Sequence, residues 1–207
     1  MAISAAKENI LKRIRQALGN PVPLPFPLSG GAASVYQPAR DALEVIFAEE
    51  FTRLQGKFAF CIDENDLQQQ LQQLIADNEW AKIYCSEDKW NRQFSNTINL
   101  PGCDASVTGC EYLVARTGSI VMSAARQSGR TVSVYAPVHI CIAYTNQLVY
   151  DIKDALLSLK ERYAGNIPSS ITFASGPSRT ADIEKTLVTG VHGPKEVYLF
   201  LIDSPAA

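Results

Sequence analysis

The sequence is short of the residues from which most metal, redox and nucleotide sites are built. It has two histidines, His139 and His192, and neither has a second ligand at metal-binding spacing. Its five cysteines (Cys61, Cys85, Cys103, Cys110, Cys141) contain no C-x-x-C pair, which argues against the clustered ligand sets of iron–sulfur and zinc sites. Cys61, Cys85 and Cys141 fall in apolar, strand-like runs, where a thiol behaves as a small buried hydrophobe. Cys103 and Cys110 flank a loop and have the spacing to meet, but a reducing cytosol favours free thiols. No G-x-G-x-x-G follows the first strand, and there is no P-loop and no G-x-S-x-G elbow. A net charge of −2 with no basic block supplies no field for nucleic acid or an anionic membrane. Apolar runs such as Val197–Ile202 are far too short to span a bilayer. Charge enters early, at Lys7 and Glu8, with no apolar run before a small-residue cleavage site, so a cytoplasmic location is expected.

What is present is globular. With 207 residues, 46% apolar and 19% charged, the chain can bury a full core as one domain with an appendage. The appendage is residues 1–38. Residues 3–18 read as an amphipathic helix: Ile3, Ile10, Ile14 and Ala17 recur at helical spacing, and Leu11 and Leu18 broaden the stripe. Lys7, Lys12, Arg13 and Arg15 lie largely off it, as a solvated face would. Gly19–Pro38 is a linker, with proline at 21, 23, 25 and 27 and then Ser29-Gly30-Gly31.

From residue 39 to 207 helical and strand patterns alternate. Helices are expected over Asp41–Leu54, Asp63–Asp77, Lys89–Phe94 and Asp151–Tyr163, and strands over Lys57–Ile62 and Lys82–Cys85. This is the signature of βαβ units and a largely parallel sheet. Trp80, far from polar motifs, reads as core. Ala105–Gly109, Glu111–Arg116, Ser119–Ala124, Thr131–Ala136 and His139–Tyr144 are short, closely spaced strands, which suits hairpins or a tightly connected mixed sheet. A strand over Ile171–Ala174, a helix over Thr180–Val188 and a last strand over Glu196–Ile202 complete the pattern.

Three loops carry candidate chemistry. Thr117-Gly118-Ser119 joins two strands and offers two hydroxyls with amides that could cradle an oxyanion; the same residues make an ordinary turn with glycine at positive φ. His139 follows Pro137 at the start of an apolar strand. It is either a general base or donor, or a satisfied core histidine, and taken alone the second is favoured. The third is Gly176-Pro177-Ser178-Arg179-Thr180, feeding the expected helix, with His192 in the turn Gly190–Pro194. Ser178 or Thr180 would cap that helix, its free amides would seat phosphate or carboxylate, and Arg179 would add a charged fork. Glu111 is the one acid near the middle strands, a candidate base or nucleophile, although a single Glu at a strand start is usually a surface residue.

Together, G-C-E-Y-L-V-A-R-T-G-S-I-V-M-S at 109–123, A-P-V-H-I at 136–140 and G-P-S-R-T-A-D-I-E…G-V-H-G-P at 176–194 resemble the LutC/YkgG family, the lactate-utilisation protein C or LUD-domain proteins. The last motif is the specific one. Arg116 stands where the family pattern carries Glu or Asp (A-E-T-G-T), so the acid is missing from this loop. The resemblance implies a NagB/RpiA/CoA-transferase-like three-layer α/β sandwich with a mixed, largely parallel sheet. It implies a component acting with two iron–sulfur partner proteins in oxidising L-lactate to pyruvate, binding no cofactor itself and using no metal. Thr117, Gly118, Ser119, His139, Gly176, Pro177, Ser178, Arg179, Thr180 and His192 then become candidates for binding a small carboxylate or phosphate. No nucleic-acid or membrane partner is expected, and a homo-oligomer is left open. Two other readings are a stand-alone enzyme on a sugar phosphate or CoA ester, using Glu111 or His139, and a regulatory or scaffolding protein gripping a partner through residues 1–38.

Overall fold

The computed structural model describes residues 5–19, 38–91, 94, 99–183 and 186–203. Ile3, the proline segment 20–37, and residues 92–93 of the expected fourth helix lie outside them. The chain divides into two compact units, Met1–Pro38 and Ala39–Ala207.

In the first unit, α1 (Ala5–Gly19) is helical as its periodicity requires, and Ile10 and Ile14 on its apolar stripe are 58% and 48% exposed. In the second unit, five wholly parallel strands form the main sheet. They are β1 (Lys57–Cys61), β2 (Ile83–Cys85), β3 (Ala105–Thr108), β6 (Val138–Tyr144) and β11 (Glu196–Ile202), in the order β1-β11-β6-β3-β2. The central strands are buried along nearly their whole length. That is why they read as continuous apolar runs: a parallel sheet is covered on both faces.

On one face α3 (Glu64–Asp77) lays Leu67 and Leu71 against Ile140, Ile142, Phe200 and Ile202. Its start is fixed by Asp63, whose carboxylate accepts from the amides of Asn65 and Asp66, both at 2.8 Å. Trp80 packs partly buried on this core, edge-on to Tyr198. On the other face α2 (Leu43–Arg53) inserts Phe47 and Phe51 against Cys141, Leu199 and Leu201. Helices on both sides make a three-layer α/β sandwich.

The crowded middle forms a small mixed sheet beside α2. It contains β4 (Tyr112–Val114), β5 (Ser119–Ser123), β7 (Leu148–Val149) and β8 (Ile171–Ala174), in the order β7-β4-β5-β8. β4 pairs antiparallel with β5 and parallel with β7. Leu113, Ile120 and Met122 face α2 and the main sheet, while Val114 and Val121 face Ala155 and Leu159 of α6 (Ile152–Arg162). The expected fourth helix shortens to α4 (Asp88–Asn91) among the described residues.

β7 has no counterpart among the expected strands, the expected strand Glu111–Arg116 ends at Val114 in a 3-10 turn, and two further elements change type. Thr131–Ala136 is not a strand; Val132–Tyr135 is a helical turn, α5. Alternation there does not mark a sheet face, because Val132 is buried while Val134 and Tyr135 are exposed. Thr180–Val188 is not a helix. β9 (Arg179–Ile183) and β10 (Thr186–Thr189) pair antiparallel, with Arg179 opposite Thr189 and Thr180 opposite Val188. The β-branched content of this segment favours a pleated strand over a helix.

The free edge of β1 is capped from α3. The Ile62 amide donates to Asp66 at 2.9 Å, and Gln70 Nε2 donates to the Phe60 carbonyl at 3.1 Å. A row of unpaired edge groups invites a foreign strand, and these two side chains blunt it.

Candidate functional site

The end of α2 organises the site. The β4–β5 connection is a 3-10 turn (Ala115–Thr117) closed by Gly118 at φ 55°. A Cβ on Gly118 would lie 2.6 Å from the Phe51 amide nitrogen, so the turn lies against the backbone of α2. Gly176, at φ 80°, approaches the same helix end; a Cβ there would lie 2.5 Å from the Leu54 carbonyl oxygen. Arg179 donates its guanidinium to that same carbonyl. A cation at a helix C-terminus satisfies an orphan carbonyl and opposes the negative end of the dipole.

The two turns are also joined by hydroxyls. Ser119 Oγ lies 2.8 Å from Thr117 Oγ1 and 2.6 Å from Ser175 Oγ. The structure therefore brings Thr117, Gly118, Ser119, Gly176 and Arg179 together. Pro177 and Ser178 continue into the hairpin. The Ser178 amide donates to the Pro194 carbonyl, and the Gly190 amide to the Ser178 carbonyl, both at 2.9 Å. These bonds tie the Gly-Pro-Ser-Arg turn to the turn that carries His192. The expected helix-start amides do not exist, because this segment is a hairpin, and Ser178 spends its own amide on Pro194. Thr180 pairs within the hairpin, and His192 is exposed at its end. What remains open at this place is the exposed Arg179 fork, with donors left over after its bond to Leu54, and the exposed Ser175; Ser119, between Thr117 and Ser175, is itself buried.

His139 does not line this place. Strand alternation turns it to the α2 face of β6, where it is 1% exposed with Nε2 2.8 Å from Thr108 Oγ1. Burial pushes its pKa down to about 4, against an opposing pull from Glu87. It is neutral and enclosed. The loop before it is tied to the hairpin turn through the Lys195 amide, which donates to the Pro137 carbonyl.

Glu111 is not a surface residue. It is 1% exposed and accepts from Ser123 Oγ at 2.6 Å, Tyr163 OH at 2.7 Å and Arg162 Nη1 at 2.6 Å. Burial alone would raise its pKa, but these three bonds and the nearby Arg126 hold it below the ordinary glutamate value. Arg116, standing where an acid was expected, donates Nε to Asp151 at 2.5 Å, and Asp151 caps α6. An acid at 116 would face that carboxylate.

A second buried ionic group was not foreseen from the sequence. Glu87, just after β2, accepts from Arg126 Nη2 at 2.5 Å and from the Gly109 amide at 2.9 Å, and Arg126 Nη1 donates to the Cys110 carbonyl. The only local hint is an arginine in a short polar loop, S-A-A-R-Q-S-G. All five cysteines are free and buried, and Cys110 meets Cys141 rather than Cys103. Among the described residues, no group of three or more His, Cys, Asp or Glu could hold a metal ion. None of the described helices is long and apolar enough to cross a membrane.

Residues 92–202 match the family model described as LUD domain. A lactate utilization protein C of Bacillus licheniformis is 37% identical over 131 residues, which is 61% of this chain and 53% of that protein. The protein of the same name from Anoxybacillus flavithermus is 28% identical over 181 residues, covering 76% of this chain and 80% of that one. An uncharacterized protein of Neisseria meningitidis is 33% identical over 115 residues, covering 56% and 47%. The chain thus spans about half the length of several curated relatives it matches. Among solved structures, a DUF162 family protein from Deinococcus radiodurans aligns with a TM-score of 0.58 at 15% identity, covering 80% of this chain and 99% of that one. That likeness speaks to the fold.

Two consequences are measurable. Gly118→Ala forces a Cβ into the α2 backbone at a positive φ, so it should destabilise the fold by about 2–4 kcal/mol in urea unfolding; a loss under about 0.5 kcal/mol would mean that the turn does not bear on the helix. His139 is held neutral in the fold, whereas an unfolded histidine titrates near 6.5. Its contribution is fully present above pH 6.5 and is lost as pH falls toward 4, about 3 kcal/mol in all. His139→Asn should flatten that part of the pH–stability curve. An unchanged slope would place the titration elsewhere.

Proposed function

Because the chain belongs to the LUD domain family, we propose that it is an accessory component of a lactate-utilising system. On this reading it binds a small carboxylate where the Thr-Gly-Ser turn and the Gly-Pro-Ser-Arg turn meet at the end of α2. The relatives named lactate utilization protein C supply the substrate class. One observation carries the site: Arg179 donates to the Leu54 carbonyl that Gly176 also approaches, next to Ser175, whose exposed hydroxyl lies 2.6 Å from that of Ser119. A guanidinium matches a carboxylate in shape and charge, and adjacent hydroxyls can accept from or donate to a neighbouring α-oxygen.

The electron-transfer clusters would belong to two iron–sulfur partner proteins. The cysteines of this chain are packed in its core, where a thiol is inert. The enzyme reading is less well supported. It requires Glu111 or His139 beside the Thr-Gly-Ser turn. Glu111 lies at the far end of β4 from that turn, on the order of 10 Å away by strand rise, with its oxygens already committed. His139 is enclosed and paired with Thr108.

Calorimetric titration of the full chain with L-lactate, pyruvate and inorganic phosphate tests the site. Arg179→Ala should weaken binding of the preferred anion at least tenfold, and Arg179→Lys, which retains the charge that opposes the helix end, should weaken it less. Equal affinity in wild type and Arg179→Ala would remove Arg179 from any ligand site.

A further inference from the structure

With Arg179 on the carboxylate, the hydroxyls between the two turns decide which α-oxygen can lie beside it. Ser119 Oγ is their hub. It lies 2.8 Å from Thr117 Oγ1, 2.6 Å from Ser175 Oγ and 3.3 Å from the Thr117 carbonyl oxygen. A hydroxyl has one proton to donate and two lone pairs with which to accept. A carbonyl oxygen only accepts, so the third contact takes the Ser119 proton. Thr117 and Ser175 must then each donate to Ser119 Oγ and fill its lone pairs. No other placement of the three protons makes all three bonds.

Burial gives this arrangement its weight. Ser119 is 2% exposed, so water does not replace a bond it loses, and an unmade bond there is costly. Turning the chain round, from Thr117 through Ser119 to Ser175 and outward, frees a proton on Ser175 but forfeits the Ser119 bond to the carbonyl. That bond is long for a hydroxyl donor, so the preference it enforces is moderate.

Ser175 is the exposed end of the chain. It directly precedes Gly176, which approaches the Leu54 carbonyl that Arg179 also holds. With its proton turned to Ser119, its outward side offers lone pairs alone. A 2-hydroxy acid and a 2-oxo acid present the same carboxylate to Arg179 and differ at the next oxygen. The hydroxyl has a proton to donate. The keto oxygen brings only lone pairs, and lone pairs facing lone pairs make no bond.

We propose, on the basis of the carboxylate site above, that Ser175 accepts the α-hydroxyl proton of the bound acid and so sorts 2-hydroxy acids from 2-oxo acids. Ser119 is the positioning residue that keeps the Ser175 proton turned inward. The site therefore retains the reduced acid and releases the oxidised one.

Calorimetric titration of the full chain with L-lactate, pyruvate and propionate tests this. Propionate keeps the carboxylate and the carbon chain but lacks the α-oxygen. L-lactate should bind roughly three- to tenfold more tightly than either, the worth of one hydrogen bond at an exposed group. Ser175→Ala should bring the three affinities within about twofold of one another, and Ser175→Thr, which keeps the hydroxyl, should restore the preference. Ser119→Ala frees the Ser175 proton. It should close the gap between L-lactate and pyruvate while both stay tighter than propionate. Arg179→Ala should weaken all three alike, because the guanidinium meets only the carboxylate. Equal wild-type affinity for the three acids would leave the carboxylate site standing and overturn the role of Ser175, as would a lactate preference that survives Ser175→Ala. Binding of none of the three would overturn both.

Discussion

The carbonyl end of α2 is the fixed point of the site. Gly118 and Gly176 come from turns more than fifty residues apart, yet both bring backbone within reach of the same helix terminus. Neither approach is possible with a side chain at those φ values. Arg179 then donates to Leu54, the residue that closes the helix. One helix end thus sets the spacing between two turns and the direction of one guanidinium. The Ser119–Ser175 contact follows from that spacing.

The opposite end of β4 is arranged differently. There the charges point inward and neutralise one another: Glu111 with Arg162, and Glu87 with Arg126. A Cβ on Gly109 would lie 2.5 Å from Arg126 Nη2, so a side chain there would displace the end of that arginine from Glu87. Buried ion pairs add little net stability, but removing one partner leaves a charge stranded. These groups are better understood as fixing how β2, β3 and the loop after β5 meet than as chemistry waiting for a substrate. The contrast assigns the two ends of the small sheet separate work, a closed polar lock at one and an open cationic fork at the other.

Much of the fold is legible locally. Asp63 and Asp151 announce helix starts, and the apolar runs of β6 and β11 announce a covered parallel sheet. The position of His139 in an apolar strand already favours the core. The hairpin at Arg179–Thr189 reads as a helix because Gly-Pro followed by Ser and Thr punctuates helices and hairpins alike. Only the pairing of Arg179 with Thr189 decides between them. The buried role of Glu111 has no local signal at all, since its partners lie 12, 51 and 52 residues away. The convergence of the two turns can be suspected from their shared polarity. The helix end that joins them cannot, because nothing in α2 differs from an ordinary amphipathic helix.

The claim that the two turns and Arg179 form one receptor for a small anion is tested most directly by amide chemical shifts. The isotopically labelled full chain would be titrated with L-lactate and with pyruvate. Saturable shifts confined to residues 117–119 and 175–179, with weaker ones at Leu54, are expected. Shifts centred on Glu87 and Arg126, or none at saturating anion, would contradict it.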